Sequence, residues 1–283
     1  MKLKKYNFAI LISTKGKEDI NKAVSQIKNT NIPIYIVSPE EINIENTTLI
    51  KDKGLGKPSA LNLAIEKIPA QIIIFTDGDV YTNEQSINNI IKAFDENTGI
   101  VTTSVISLNN KNSILGFWSH FLVFAANNMR KEKYSKNEFF EATGYLMAVR
   151  KNLIEKIPEN SLSEDGVISK MVHDKKYNIK YIDNAEVFVK FPQNFHDWII
   201  QKKRSTGGYT QNLTERKNGS RSFFKEAKAG FFLFFSYPKN IKEFFYLFLL
   251  FLARIYLWII IFIDLKIKRK NFSQIWLRVE STK

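Results

Sequence analysis

The sequence predicts an α/β protein: a Rossmann-like mixed, mostly parallel sheet flanked by helices, with amphipathic and membrane-embedded helices at the C-terminal end. Two observations predict the sheet. Ile72 to Val80, IIIFTDGDV, opens on an uninterrupted apolar run whose length suits a strand buried on both faces. Such runs alternate along the chain with segments whose apolar residues recur at spacings of three and four, so strands alternate with amphipathic helices. The third observation concerns the end of the chain. Phe244 to Ile263 is twenty residues with a single charge, Arg254. At roughly 1.5 Å per residue such a helix is about 30 Å long, the thickness of a hydrocarbon core.

Taken in order, Tyr6 to Ser13 is the first strand. MKLKKYNFAILIST looks like a secretory leader, but its apolar core, Phe8 to Ile12, is too short. Lys17 to Lys28 places Ile20, Ala23, Val24 and Ile27 on one helical face, and Ile32 to Val37 is a second strand. Strand, helix and strand at this spacing imply a parallel pair with a right-handed crossover. Thr48 to Ile50 is a third short strand, and Ser59 to Ile68 a helix. Beyond Val80, Asn83 to Phe94 reads as a helix, Gly99 to Ser107 as a strand and Ile114 to Met129 as an aromatic-rich helix. Phe140 to Arg150 reads as a strand with Gly144 at a close approach, and Gly166 to Val172 as a helix. Ile179 to Ile182 and Ala185 to Val189 read as short strands, and His196 to Arg204 as a helix before Gly207-Gly208.

The C-terminal part changes character. Gln201 to Lys228 holds eight Lys or Arg against two Glu, and Ser222 to Tyr237 interleaves phenylalanines with lysines. That mixture suits a helix in a membrane interface. In Phe244 to Ile263 fifteen residues are Phe, Leu or Ile. At about −0.3 to −0.6 kcal/mol each they outweigh the roughly +3 kcal/mol of one central arginine, so membrane embedding is favoured. Basic residues stand on both flanks, Lys239 and Lys242 before, Lys266, Lys268, Arg269 and Lys270 after, so they select no orientation. The organisation expected is residues 1–215 as a catalytic domain and 216–283 as interface helix, membrane-embedded helix (about 244–263) and basic tail.

Composition narrows the function. The 283 residues are 44% hydrophobic, enough for a sizeable core. The absence of cysteine excludes disulfides, thiolate metal sites and a cysteine nucleophile. A net charge of +14 points to an anionic partner. Concentration of the excess near the aromatic-rich C-terminal part favours lipid, and no nucleic-acid-binding motif is present, so none is expected as a partner.

Three places carry chemistry. Asp77 and Asp79 lie just past the end of a buried strand, where open α/β sheets keep their ligand crevices. Gly78 between them allows a bend that leans both acids one way. The pair suits a hard divalent cation; the same residues also suit an Asp-Gly turn. Gly54, Gly56 and Lys57 precede Pro58 and a helix start, an anion site or an ordinary loop and cap, without Walker spacing. Ser163, Glu164 and Asp165 open a helix, as acids that cap it or as acids that do chemistry. His120, His173 and His196 are scattered and show no ligand spacing.

The order of these motifs resembles the family 2 glycosyltransferases, which have the GT-A fold. From about Tyr6 to Gly208 the succession is GKPSALN, then DGD, then ATGYLMAVRK, then SEDG, then QKKRSTGG before a membrane segment. The resemblance implies an inverting transfer of a sugar from a nucleotide-diphospho-sugar (UDP- or GDP-sugar) to a lipid-linked or glycan acceptor. It implies Asp77 on the donor's ribose, Asp79 as ligand of Mg²⁺ or Mn²⁺, Lys57 near the nucleotide, and Asp165 as catalytic base with Glu164 and Gly144 on the acceptor side. Gln201 and Arg204 match the first and fourth positions of QxxRW, which lies over donor and acceptor in membrane-bound members of the family. The catalytic domain is expected at the cytoplasmic membrane face. Three departures stand out. Ser38-Pro39-Glu40-Glu41 replaces the aspartates that usually read the base, Ser205 replaces the tryptophan of processive synthases, and a membrane part of about one segment is too little for a polymer-conducting pore. Two other readings fit parts of the sequence: a nucleotidyltransferase, which would release pyrophosphate, and a non-enzymatic basic membrane protein.

Overall fold

The computed structural model describes residues 6–16, 20–161, 163–214, 233 and 235–264. The phenylalanine-lysine stretch 222–232 and the basic tail 266–270 lie outside the described residues.

The first half is a repeated strand-helix unit. Strand β1 (Phe8–Ser13) leads to α1 (Ile20–Ser25) and β2 (Ile34–Ser38); β3 (Thr47–Lys51) and α2 (Lys57–Lys67) precede β4 (Ile72–Asp77). Then come β5 (Val80–Thr82), α3 (Glu84–Ala93), β6 (Thr98–Ser107) and α4 (Ile114–Ser135). The second half adds β7 (Leu146–Arg150), α5 (Glu164–Asp174), β8 (Asn178–Val189), α6 (Phe195–Thr214) and α7 (Ile241–Phe262). The strands form one eight-stranded sheet in the order β3-β2-β1-β4-β7-β6-β8-β5. Neighbours among β1 to β4 pair in parallel, as do β6 and β8; β7 runs antiparallel to both β4 and β6, and β5 to β8.

The alternation of side chains along buried strands builds two cores, one on each face. On one face Ile10, Ile12, Ile72 and Ile74 pack against Ile20 and Val24 of α1 and Ile87 and Ile90 of α3. On the other, Leu11, Ile73 and Phe75 meet Leu61 and Ala64 of α2 and Ile168 and Val172 of α5. A third cluster joins α4, α6 and α7 through Phe117, Trp118, Phe121, Trp198, Leu247 and Leu250.

Four expectations need correction. The strand expected over Phe140 to Arg150 begins only at Leu146. Before it, the N–H groups of Ala142, Thr143 and Gly144 donate to Ser169 Oγ, Thr102 Oγ1 and Asp165 Oδ2, so side chains replace a ladder. Asp77, expected just past the end of its strand, is the last residue of β4, and a turn at Gly78-Asp79 then sends Val80 to Thr82 to pair with β8 at the far edge of the sheet. The two short strands near residue 183 are one, β8, with a register shift against β6 between Thr103 and Ser104. Helix α6 runs on through Gly207-Gly208 to Thr214.

Candidate active site

The carboxyl ends of β1 and β4 lie side by side, with Ser13 in register with Asp77. Asp77 Oδ1 accepts from Ser13 Oγ at 2.7 Å and from Lys57 Nζ at 2.6 Å. Lys57 comes from the first turn of α2. Gly56 before it has φ +113°, a conformation that only glycine adopts easily, and Pro58 follows in the first turn. Burial alone would lower the Lys57 ammonium, but attraction to Asp77 and Glu164 outweighs it and holds the group charged well above its ordinary value. Gly78 has no positive φ. A methyl group there would stand 3.0 Å from Thr14 Cβ, so the close approach of the β1 loop, not a positive φ, is what favours glycine at this turn.

Asp165, at the start of α5, is held by three donors. Its Oδ1 accepts from Ser163 Oγ at 2.7 Å and from the Gly166 N–H at 2.9 Å. Its Oδ2 accepts from the Gly144 N–H at 3.0 Å, which leaves that oxygen one lone pair. Glu164 beside it is pushed up by burial, against the pull of Lys57, and its Oε1 has no hydrogen-bond partner among the described residues. Gln201 Oε1 on α6 is likewise buried and unpartnered there. Arg204 is three residues along the same helix.

What joins these groups is a residue that sequence reasoning passed over. Burial raises the Tyr145 phenol, Arg204 opposes that, and Asp79, Asp77 and Asp165 each raise it further. One hydroxyl is therefore within electrostatic reach of the β4 end, the start of α5 and α6. Arg204 also acts on Lys57 and on Glu164. Thr76 Oγ1 donates to the Tyr145 carbonyl at 3.0 Å and so ties this residue to β4. The signal available was position alone: Tyr145 follows Gly144 in the motif already singled out. Thus Lys57, Asp77, Asp79, Glu164, Asp165 and Arg204 come to one region at the carboxyl edge of the parallel strands, with Gly144 at Asp165. Gln201 shares the helix of Arg204.

The sequence matches the model of glycosyl transferase family group 2 over residues 72–265. The chain belongs to that family. It is a glycosyltransferase with a GT-A fold. No curated protein matches it by sequence. Among solved structures, a mannosyltransferase from Pyrobaculum calidifontis, in complex with GDP-Man and Mn²⁺, is similar with a TM-score of 0.57 at 13% identity, over 85% of this chain and 72% of that one. Glucosyl-3-phosphoglycerate synthase from Mycobacterium tuberculosis, in complex with Mn²⁺ and UDP-glucose, gives a TM-score of 0.52 at 8% identity, over 72% of this chain and 78% of that one.

The glycosyltransferase's own donor set bears on a divalent cation. Among the described residues no three or more His, Asp or Glu side chains gather as a metal cluster. Asp79 would be the carboxylate for such an ion, since Lys57 and Ser13 already occupy Asp77 Oδ1. A site of one or two carboxylates fits Mg²⁺ or Mn²⁺ shared with a diphosphate, since Mg²⁺ keeps few protein ligands and takes substrate oxygens.

Proposed function

We propose that this glycosyltransferase moves a sugar, with inversion, from a UDP- or GDP-sugar to a lipid-linked or glycan acceptor at the cytoplasmic membrane face. Residues 1–215 form the catalytic unit on this reading, and 216–283 the membrane-facing unit. The observation that carries it is a chain of hydrogen bonds: Asp77 at the end of β4 holds Lys57, its neighbour Thr76 donates to the Tyr145 carbonyl, and the adjacent Gly144 N–H holds Asp165 Oδ2.

Each residue then has a task. Asp77 meets the donor's ribose. Asp79 holds Mg²⁺ or Mn²⁺, which when bound would stabilise negative charge on the diphosphate. Lys57 and Arg204 put fixed positive charge beside the same oxygens without reorganising as the bond breaks. Gln201 lies over the donor with Arg204. Asp165 takes the proton of the acceptor hydroxyl on Oδ2, the oxygen with a lone pair to spare, while the hydroxyl oxygen attacks the anomeric carbon from the face opposite the departing nucleoside diphosphate. Glu164 and Gly144 shape the acceptor side.

The test is a screen of UDP-, GDP- and dTDP-sugars with Mg²⁺ or Mn²⁺, scored by nucleoside diphosphate release. Asp165→Asn should lower turnover by about 10²- to 10⁴-fold, the range of a lost general base. Asp79→Ala should abolish the response to metal. Intact turnover in both variants would discard the site, and release of pyrophosphate would discard the reaction class.

A further inference from the structure

We infer that α7 lies flat in one leaflet of an anionic bilayer, its outer face among the acyl chains and both its ends on the same side, and that it does not cross the membrane.

Helix α7 is long and apolar enough to span, with 22 residues and a mean hydropathy of 2.3. Its attachments contradict that orientation. Leu247, Leu250, Ala253, Leu257 and Ile261 are all buried, at spacings of three and four, so the helix is seated on the protein along its length. The N-terminal end is tied to the water-facing domain. Trp118 Nε1 donates to the Tyr246 carbonyl at 2.7 Å, the Tyr246 hydroxyl donates to Asn112 O at 3.3 Å, and Lys111 Nζ lies 3.9 Å from Glu243 Oε1. The C-terminal end is tied as well, for Lys203 of α6 pairs with the buried Asp264. A spanning helix puts its ends about 30 Å apart on opposite sides of the hydrocarbon. Here both ends hold charged or polar groups of one domain, so spanning would drag α4 and α6, with Lys111, Asp197 and Lys203, into lipid.

The opposite face is the one left for lipid. Phe245, Phe248, Phe251, Leu252, Tyr256 and Ile259 are each about half exposed. They recur at helical spacings on the side away from the buried stripe. Phe195, also exposed, extends the patch by stacking on Tyr256 at 6.3 Å. Arg254, the single charge of the apolar run, is seven residues from both Leu247 and Ile261, which sets it on the protein-facing side. The occupant follows from charge: Lys239 precedes the helix, Lys242 lies in its first turn, and Lys266, Lys268, Arg269 and Lys270 follow it in the sequence. Anionic headgroups complement a basic border on both ends of an apolar face.

This inference rests on the membrane association proposed above, and the chain's lack of cysteine makes it testable in the full-length protein. Single variants Lys239→Cys and Lys270→Cys are incorporated into sealed vesicles with a phosphatidylglycerol-containing bilayer and treated with a membrane-impermeant maleimide. Both should label from the same side, to the same extent, before and after the vesicles are opened. Labelling from opposite sides means that α7 crosses, and overturns the inference alone. A companion variant, Phe248→Asp with Phe251→Asp, should lose flotation with these vesicles while keeping its thermal transition. Flotation unchanged in that variant also overturns the inference. Failure of the wild-type chain to float overturns the membrane reading too, with a dimer buried through the same face as the competing result.

Discussion

A methyl group on Gly144 would stand 3.1 Å from Asp165 Oδ2 and 3.3 Å from its Cβ and Cγ. Gly144→Ala must therefore shift the carboxylate by a few tenths of an ångström, with the N–H bond that aims it. Since misplacing a reacting group by about 1 Å costs on the order of 10²-fold, turnover should fall roughly ten- to a hundredfold while the thermal transition barely moves. Nucleoside diphosphate release and a melting curve on the same sample check it; equal losses in both would mean a packing role only. Glu164 gives a test on pH. Burial raises its carboxyl above the ordinary 4.5. Between those two values the folded state holds a proton that the unfolded chain has lost, and above them the buried carboxylate opposes folding. Glu164→Gln removes that opposition, so it should raise the melting temperature at pH 7 to 8, with the gain vanishing as the pH falls below about 4.5. A variant that melts lower at pH 8 would refute it. At this scale the acids and Lys57 were legible because few residue types do their chemistry. Tyr145 was not, because a phenol next to a glycine says nothing until the fold bonds that stretch to Thr76 at the end of β4 and to Asp165.

At the scale of elements, α6 couples the candidate site to the C-terminal helix. Gln201 and Arg204 belong to it, Trp198 packs 5.2 Å from Trp118 in the cluster that seats α7, and Lys203 pairs with Asp264. Removing one partner of a buried pair leaves the other charge uncompensated, at a cost of about 3 kcal/mol or more, whereas replacing both by apolar groups is often neutral. Asp264→Leu should therefore destabilise the protein and reduce turnover, and Lys203→Met with Asp264→Leu should recover most of the stability. If the double variant recovers stability without turnover, the charged pair sets where α6 sits; if it recovers neither, the pair has no such role. The α1, α2 and α3 helices and the parallel strands were legible because their periodicity is set by burial on one or two faces. The irregular stretch from Phe140 to Tyr145 was not. Its apolar residues read as strand, and only the distant Thr102, Asp165 and Ser169 show where its N–H groups go. Strand β5 was lost in the same way, since three residues after a turn carry no periodicity of their own.

For the whole molecule, the proposed membrane association would use the charge and the apolar face by different physics. The alternation of strands and helices gave the sheet's character from sequence, but not its antiparallel members β5 and β7, which depend on where long connections return. The net charge of +14 is a property the sequence states outright, and its consequence belongs to the entire chain. Lys and Arg near an anionic surface contribute about 1 kcal/mol each, screened over a Debye length of about 10 Å at 0.1 M salt and about 3 Å at 1 M. Burial of the outer aromatic face of α7 in acyl chains is not screened. Binding to vesicles containing phosphatidylglycerol should thus fall steeply from 0.05 to 0.5 M NaCl and then level off at the value seen with neutral phosphatidylcholine vesicles, which should change little with salt. Co-sedimentation across that series measures both terms at once. Equal binding to neutral and anionic vesicles at low salt would leave the excess charge without a membrane role and return it to the phosphates of the donor.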